Sequence, residues 1–88
     1  MSEIKKVKPS KEQVKKFLQD WSPWECDISR FDWEYGMEET CFIIEGEVKV
    51  ETAKGSVEIK AGDLVTFPKG LKCVWDVKKP LRKVYTFK

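Results

Sequence analysis

The sequence of 88 residues contains no histidine. This absence excludes every mechanism with a histidine base, every metal site with histidine ligands and the commonest pH switch near neutrality. The apolar runs are at most four residues long, so we expect no membrane partner. Because Met1, Ser2 and Glu3 begin no apolar export segment, we expect a cytoplasmic protein. Paired cysteine spacings are also lacking, which is typical of free thiols in a reducing compartment.

The length and the overall composition of the chain are typical of one folded domain, which we predict over residues 1–88. Hydrophobic residues make up 41%, charged residues 36% and aromatic residues 12% of the chain. The net charge of +2 is too balanced for a nucleic-acid-binding protein, so no nucleic acid is expected as a partner. Both ends of the chain are basic and its middle is acidic. This layout predicts that the ends fold back on the middle, or that two copies pair by opposite charge.

One short helix is predicted near the N-terminus. Ser10 lies three residues before Gln13, which is the pattern of a capping box. Apolar residues then recur at helical spacing and predict a helix over about residues 11–19. Because lysines cover much of its surface, its narrow apolar stripe must pack on another element.

Beyond Asp20 the hydrophobic period falls to two, as in β-strands. Pro80 is expected to break the chain between the last two strands. Further short strands around Trp24 and residues 31–33 bring the total to about seven to nine, which favours an antiparallel sandwich or barrel. The clearest predicted strands are residues 40–44, 47–52, 57–59, 64–67, 72–77 and 82–87.

Two glycine-containing motifs follow one another in the strand region. One, E-x6-G, runs from Glu39 to Gly46, and the other, G-x5-P-x-G, runs from Gly62 to Gly70. Their order and separation resemble those of the cupin superfamily over about residues 30–77. The chain is most similar to small cupins of the ureidoglycine aminohydrolase cupin domain group, relatives of the ethanolamine-utilisation cupins. The resemblance implies an all-β fold, an antiparallel double-sheet jelly-roll barrel, here with one short N-terminal α-helix.

The resemblance also implies where metal ligands would lie, since cupins usually hold a metal with three histidines and one glutamate. In this chain Glu39 alone keeps the ligand identity. Glu39 and Cys73, with or without Cys41, would offer oxygen and sulfur ligands. Divalent sites usually need three or more converging ligands, and Trp33 supplies none while Tyr35 is a poor one near neutral pH. We therefore expect no metal and no cofactor. The histidine positions correspond to Trp33 and Tyr35, or under the alternative spacing Asp32 and Glu34, and to Cys73.

Strand alternation predicts the lining of the barrel. If Glu39 points inward, residues two apart from it on the same strand also point inward. A buried, unpaired carboxylate costs several kcal/mol, so Glu39 must be solvated in a cavity, protonated or paired. The other residues predicted to line the pocket are Trp33, Tyr35, Cys41, Phe67, Cys73 and Trp75.

Two functions are compatible with this pocket. The first is metal-independent binding of a small organic ligand by Trp33, Tyr35, Cys41, Phe67 and Trp75. The second is catalysis, with Glu39 as general acid or base or with Cys73 as nucleophile. The group named above takes its name from a manganese-dependent aminohydrolysis, which is not assigned to a chain without histidine.

A homodimer is also predicted. Small cupins often pair through their sheets. We expect an outward apolar face that a second subunit covers, drawn from Phe42, Ile44, Val48 and Val50.

Overall fold

Seven antiparallel strands and one helix make up residues 4–87, which the computed structural model describes. The short strands expected around Trp24 and residues 31–33 are confirmed by β2 (Ser22–Cys26) and β3 (Ser29–Glu34). The first strand was not predicted, because three exposed residues carry no hydrophobic alternation. The elements in chain order are β1 (Lys5–Val7), α1 (Lys11–Asp20), β2 (Ser22–Cys26), β3 (Ser29–Glu34), β4 (Glu39–Thr52), β5 (Gly55–Lys60), β6 (Leu64–Phe67) and β7 (Lys72–Phe87).

The strands form two layers that share the long strands β4 and β7. The first half of β4 pairs with β6 and with the C-terminal half of β7, and β1 and β2 extend this layer at its two edges. The second half of β4 pairs with β5 and with the N-terminal half of β7, which also pairs with β3. The predicted all-β class, an antiparallel double-sheet jelly roll with one short helix, is confirmed.

Strands β4 and β7 pass from one layer to the other at the same place. Their register is irregular between Ile43 and Val48, and Gly46 within this stretch has a φ of 101°. A Cβ at Gly46 would lie 2.8 Å from the Cα of Leu81 and would overlap the carbonyl oxygen of Pro80. A glycine therefore allows the two strands to approach closely where they bend.

The predicted strand break at Pro80 is wrong, since β7 continues through it. Pro80 lies opposite the irregular stretch of β4, where the ladder is interrupted. On the other side of β7, the pairing with β3 ends at Val77 and the pairing with β2 begins at Leu81. A missing backbone N–H is tolerated at such a gap.

The helix α1 covers the outer face of β4. The hydroxyl of Ser10 accepts from the backbone N–H of Gln13 at 3.2 Å, and the side chain of Gln13 accepts from the N–H of Ser10 at 2.9 Å. This capping box confirms the predicted start, and the helix ends one residue beyond the predicted end. The ring of Phe17 lies 6.1 Å from that of Phe42, so the apolar stripe of the helix packs on the sheet as expected.

The outward face predicted for a second subunit is wrong for three of its four residues. Phe42 is buried beneath the helix, whereas Val48 and Val50 belong to the core. The irregular register after Ile43 exchanges the inward-facing and outward-facing positions of β4, so these valines point inward. Ile44 alone remains half-buried.

The basic C-terminal part of the chain folds back on its acidic middle. Arg82 and Lys79 of β7 pair with Glu45 and Glu47 of β4 at 3.4 Å each, and a buried lysine of β7 also pairs with β4. Within residues 4–87, no helix is long and apolar enough to cross a membrane. The expectation drawn from Met1, Ser2 and Glu3 concerns residues outside this range.

Candidate functional site

Aromatic side chains from three strands surround a cavity of about 170 Å³. An engineered protein cavity of about 150 Å³ holds one benzene molecule, so the volume suits a single ring with a small substituent. The cavity combines a mostly aromatic wall with few polar groups, as ligand pockets commonly do. Its lining residues are Trp24, Phe31, Trp33, Tyr35, Glu39, Trp75, Lys83, Tyr85 and Phe87.

Strand register brings these side chains together. Lys83 and Tyr85 are two residues apart on β7 and share one face of the sheet. Trp24 of β2 pairs directly with Lys83, and Phe31 of β3 pairs directly with Trp75. The rings of Phe31 and Trp75 stack with centroids 6.2 Å apart, which gives the cavity a flat aromatic wall.

An ion pair between Glu39 and Lys83 forms the charged part of the cavity wall. The Nζ of Lys83 donates to Oε2 of Glu39 at 2.7 Å, and the side chains of Lys83 and Glu39 are only 6% and 5% exposed, respectively. Either charge buried alone would cost several kcal/mol. The pair therefore resolves the alternatives left open for Glu39: the carboxylate is paired.

Aromatic rings enclose the ammonium group of Lys83. Its Nζ lies 4.7 Å from the ring centroid of Trp75, 5.0 Å from that of Trp24 and 5.7 Å from that of Tyr85. These distances are within the range of cation–π attraction. A cation supplied by the chain itself thus lies among the aromatic side chains.

Tyr35 is buried beside this pair and remains a hydrogen-bond donor. Its hydroxyl oxygen accepts from the Nε1–H of Trp75 at 3.2 Å, and its ring stacks on Phe67 with centroids 4.8 Å apart. Burial first, and then the negative charge of Glu39, raise the pKa of Tyr35 well above its ordinary value. The phenol therefore keeps its proton at neutral pH.

Four of the predicted site residues meet at the cavity, and three do not line it. Trp33, Tyr35, Glu39 and Trp75 lie in its wall, with Trp33 half-exposed at 48%. The remaining three are core side chains, because they pack behind the aromatic wall. They are Cys41, Phe67 and Cys73.

The two buried cysteines have the properties of unreactive thiols. Burial raises the pKa of Cys41 to about 12 and also raises the pKa of Cys73. The thiol of Cys73 lies 3.6 Å from the backbone carbonyl oxygen of Trp33, to which it donates. Both sulfurs therefore stay protonated near neutral pH.

The sequence-based pocket omitted Lys83, Tyr85 and Phe87. A signal for them was present, because these residues alternate along the last strand and a lysine between inward-facing residues needs a buried partner. Trp24 and Phe31 carried a weaker signal, since their strands are short and their pairing with β7 joins distant parts of the sequence.

The double-sheet barrel and its interior cavity define a cupin. The family of EutQ-like cupin domains matches residues 12–85, and the chain belongs to this family. The motifs between Glu39 and Gly70 therefore lie within the matched region.

Solved structures support the same assignment. A DUF861 family protein from Thermotoga maritima is 48% identical with a TM-score of 0.91, over 98% of this chain and 100% of that one. The EutQ protein of Clostridium difficile is 26% identical with a TM-score of 0.69, over 74% of this chain and 52% of its own. A DUF861 family protein from Pseudomonas syringae is 27% identical with a TM-score of 0.59, over 75% of this chain and 27% of its own. No curated protein matches the chain.

The residues at the cupin metal positions do not fit a divalent metal ion. Glu39 already binds the ammonium of Lys83, and the thiol of Cys73 points to a backbone carbonyl. Trp33 has no metal-binding atom, and Tyr35 keeps its proton. Across residues 4–87, no three His, Cys, Asp or Glu side chains come together in a way that could hold a metal.

Proposed function

We propose that this protein binds a small organic ligand in its aromatic cavity without a metal ion. The observation that carries the proposal is the ring-sized cavity whose aromatic wall contains one buried ion pair. Apolar walls supply affinity for a flat molecule, and a few fixed polar atoms supply its orientation. We also propose that residues 1–88 form a single domain.

Binding is tested with a variant of the exposed part of the wall. Trp33→Ala removes a half-exposed ring that lines the cavity, so it should weaken binding of a ring-sized probe such as toluene without unfolding the protein. Leu18→Ala is the matched control, because Leu18 is 49% exposed on α1 and lies outside the cavity. Ligand-observed NMR should show weaker binding for Trp33→Ala only. Equal binding by both variants would contradict the proposed site.

Metal independence has its own test. The donor set around Glu39 supports it, since the ammonium of Lys83 holds one carboxylate oxygen and, within residues 4–87, no group of three possible metal ligands includes the other. Probe binding should be unchanged after dialysis against a chelator. A stoichiometric metal in the purified protein that disappears in Glu39→Ala would overturn this part of the proposal.

A second candidate is an enzyme in which Glu39 acts as general acid or base. It is favoured by one observation, the direct contact of a proton donor and a carboxylate at the cavity wall. Cys73 as nucleophile has less support, because burial raises the pKa of its thiol. Reaction of Cys73 with a thiol reagent well below pH about 8.5, the ordinary thiol pKa, would favour the nucleophile.

We also propose the narrower grouping with the ureidoglycine aminohydrolase cupin domain, on the motif residues between Glu39 and Gly70. We do not propose the enzymatic reaction of that group for this chain. A manganese-dependent aminohydrolysis needs metal ligands that a chain without histidine does not provide at the expected positions.

A further inference from the structure

The polar atoms of the cavity wall are few, and they include one open acceptor. Glu39 uses its Oε2 for the hydrogen bond from Lys83. Among the described residues no buried side-chain oxygen or nitrogen lacks a partner, and Oε1 of Glu39 bonds to none of them. Glu39 lines the cavity, so Oε1 is the oxygen that its pairing with Lys83 leaves for a ligand.

Donors lie beside this acceptor. The hydroxyl of Tyr35 accepts from Trp75, and its own proton is not donated to any residue from 4 to 87. The ammonium of Lys83 donates one N–H to Glu39. Its other two N–H groups lie among the aromatic rings that line the cavity. An incoming ligand would thus meet an acceptor on Glu39 and up to three donor hydrogens on Tyr35 and Lys83, and the hydroxyl of Tyr85 belongs to the same wall.

The charges of the wall cancel. Among residues 4–87, Glu39 and Lys83 are the charged residues that line the cavity, and they form one pair. A carboxylate ligand would be attracted by Lys83 but repelled by Glu39, and an ammonium ligand would meet the reverse. Either ion would also leave water for an apolar site without a free counter-charge, which costs several kcal/mol.

We propose that the ligand is a neutral, flat molecule that carries an amide-type group, with a carbonyl oxygen beside an N–H. This inference rests on the proposed function and names its ligand class. The carbonyl oxygen accepts from Tyr35 or Lys83, the N–H donates to Oε1 of Glu39, and the flat body lies against the stacked rings of Phe31 and Trp75. Ring amides and ureas satisfy the same description.

Four probes of nearly equal size test this class: benzamide, benzoate, benzylamine as its ammonium ion, and toluene. Calorimetric titration at neutral pH should show benzamide binding about tenfold or more tightly than each of the other three, as the gain of two hydrogen bonds allows. Tightest binding of benzoate, benzylammonium or toluene would overturn the ligand class while leaving the binding cavity in place. Failure of all four to bind would overturn the ligand class and the proposed function together.

Charge variants provide the matched controls. Glu39→Gln leaves Lys83 as an unpaired cation and should shift the preference toward benzoate. Lys83→Met leaves Glu39 unpaired and should shift it toward benzylammonium. The double variant Glu39→Gln/Lys83→Met avoids any unpaired buried charge and should fold even if the single variants do not. It should still bind toluene. The variant Glu39→Leu/Lys83→Met also removes the acceptor at position 39 and should lose most of the advantage of benzamide, and an unchanged advantage would contradict the assigned role of the pair.

Discussion

Lys83 and Glu39 are buried together, and each depends on the other. Replacing Lys83 by methionine keeps much of the length of the side chain but leaves the carboxylate of Glu39 without its partner at 2.7 Å. We predict that Lys83→Met lowers the free energy of unfolding by about 3–5 kcal/mol, measured by chemical denaturation. Adding Glu39→Gln to the same protein should restore most of the loss.

Lys79→Met serves as the control for this prediction. Lys79 also pairs with a glutamate of β4, Glu47, but both side chains are largely exposed. Water already solvates such a pair, so its loss should change stability little. Similar losses for Lys83→Met and Lys79→Met would show that the central pair is not buried as described.

Asp63 gives the fold a dependence on acid pH. Burial acts to raise the pKa of Asp63, but hydrogen bonds from Lys8 and from the backbone N–H of Lys60 outweigh it and hold the pKa below its ordinary value of 3.8. Because the folded pKa is the lower one, the carboxylate stabilises the fold above the unfolded pKa. This stabilisation is lost as the pH falls through the folded pKa.

Asp63→Ala should therefore cost about 1–3 kcal/mol of stability at neutral pH, since charged hydrogen bonds are lost. The difference from the unmodified protein should shrink at an acid pH below 3.8, where the pH falls through the lowered pKa of the folded state. Urea unfolding at the two pH values measures this, with the exposed Asp32→Ala as control. An equal loss at both pH values would argue against the carboxylate as its source.

The residues of the site were only partly predictable. The cost of burying Glu39 shows from the sequence that it needs a partner or water, but not which partner. In the β4–β7 ladder Glu39 lies opposite Phe87, and Ile43 lies opposite Lys83. Glu39 and Lys83 are therefore four residues apart along the ladder. This diagonal contact depends on the register of two strands far apart in sequence, and no local pattern specifies it.

Among the elements, the bend shared by β4 and β7 depends on Gly46. Gly46→Ala would place a Cβ against Pro80 and Leu81 at a positive φ. We predict a loss of more than about 2 kcal/mol in the free energy of unfolding, from backbone strain and overlap together. The natural control is Gly36→Ala, because a Cβ there meets no atom within 4 Å and should leave stability nearly unchanged. Equal stability of the two variants would refute this account of the bend.

Elements with local signals were predicted well, and those that depend on distant contacts were not. The capping box of Ser10 and Gln13 is a short-range pattern, and the helix begins where it predicts. The hairpin of β4 and β5 likewise follows from local alternation and a turn. By contrast, the course of β7 through Pro80 depends on gaps in its pairing with three other strands, which the local sequence does not reveal.

At the scale of the whole molecule, the homodimer stays a prediction. The face first expected to form it is buried within the chain, so a dimer must use another surface. Light scattering at tens of micromolar should give twice the mass of one chain, and a monomer at that concentration would refute the prediction. The large exposed apolar side chains available for such a surface are Val7, Leu18, Ile28, Trp33, Met37 and Phe87.

The fold class was predictable because strand alternation, turn glycines and the two ordered motifs all favour the same barrel. The absence of histidine by itself excludes the usual cupin histidine ligands. What takes their place depends on the three-dimensional arrangement, since a lysine from the last strand supplies the cation that Glu39 binds.

The central claim is that a metal-free aromatic cavity around the Glu39–Lys83 pair binds a small ring-shaped ligand. It is tested most directly by NMR, with benzamide titrated into isotope-labelled protein in the presence of a chelator. Trp24, Trp33 and Trp75 line the cavity, whereas Trp21 stacks on Phe17 outside it. We predict that the indole N–H signals of the three cavity tryptophans shift and saturate together while that of Trp21 stays in place. No saturable shift, a shift that requires added metal, or an equal shift of Trp21 would contradict the claim.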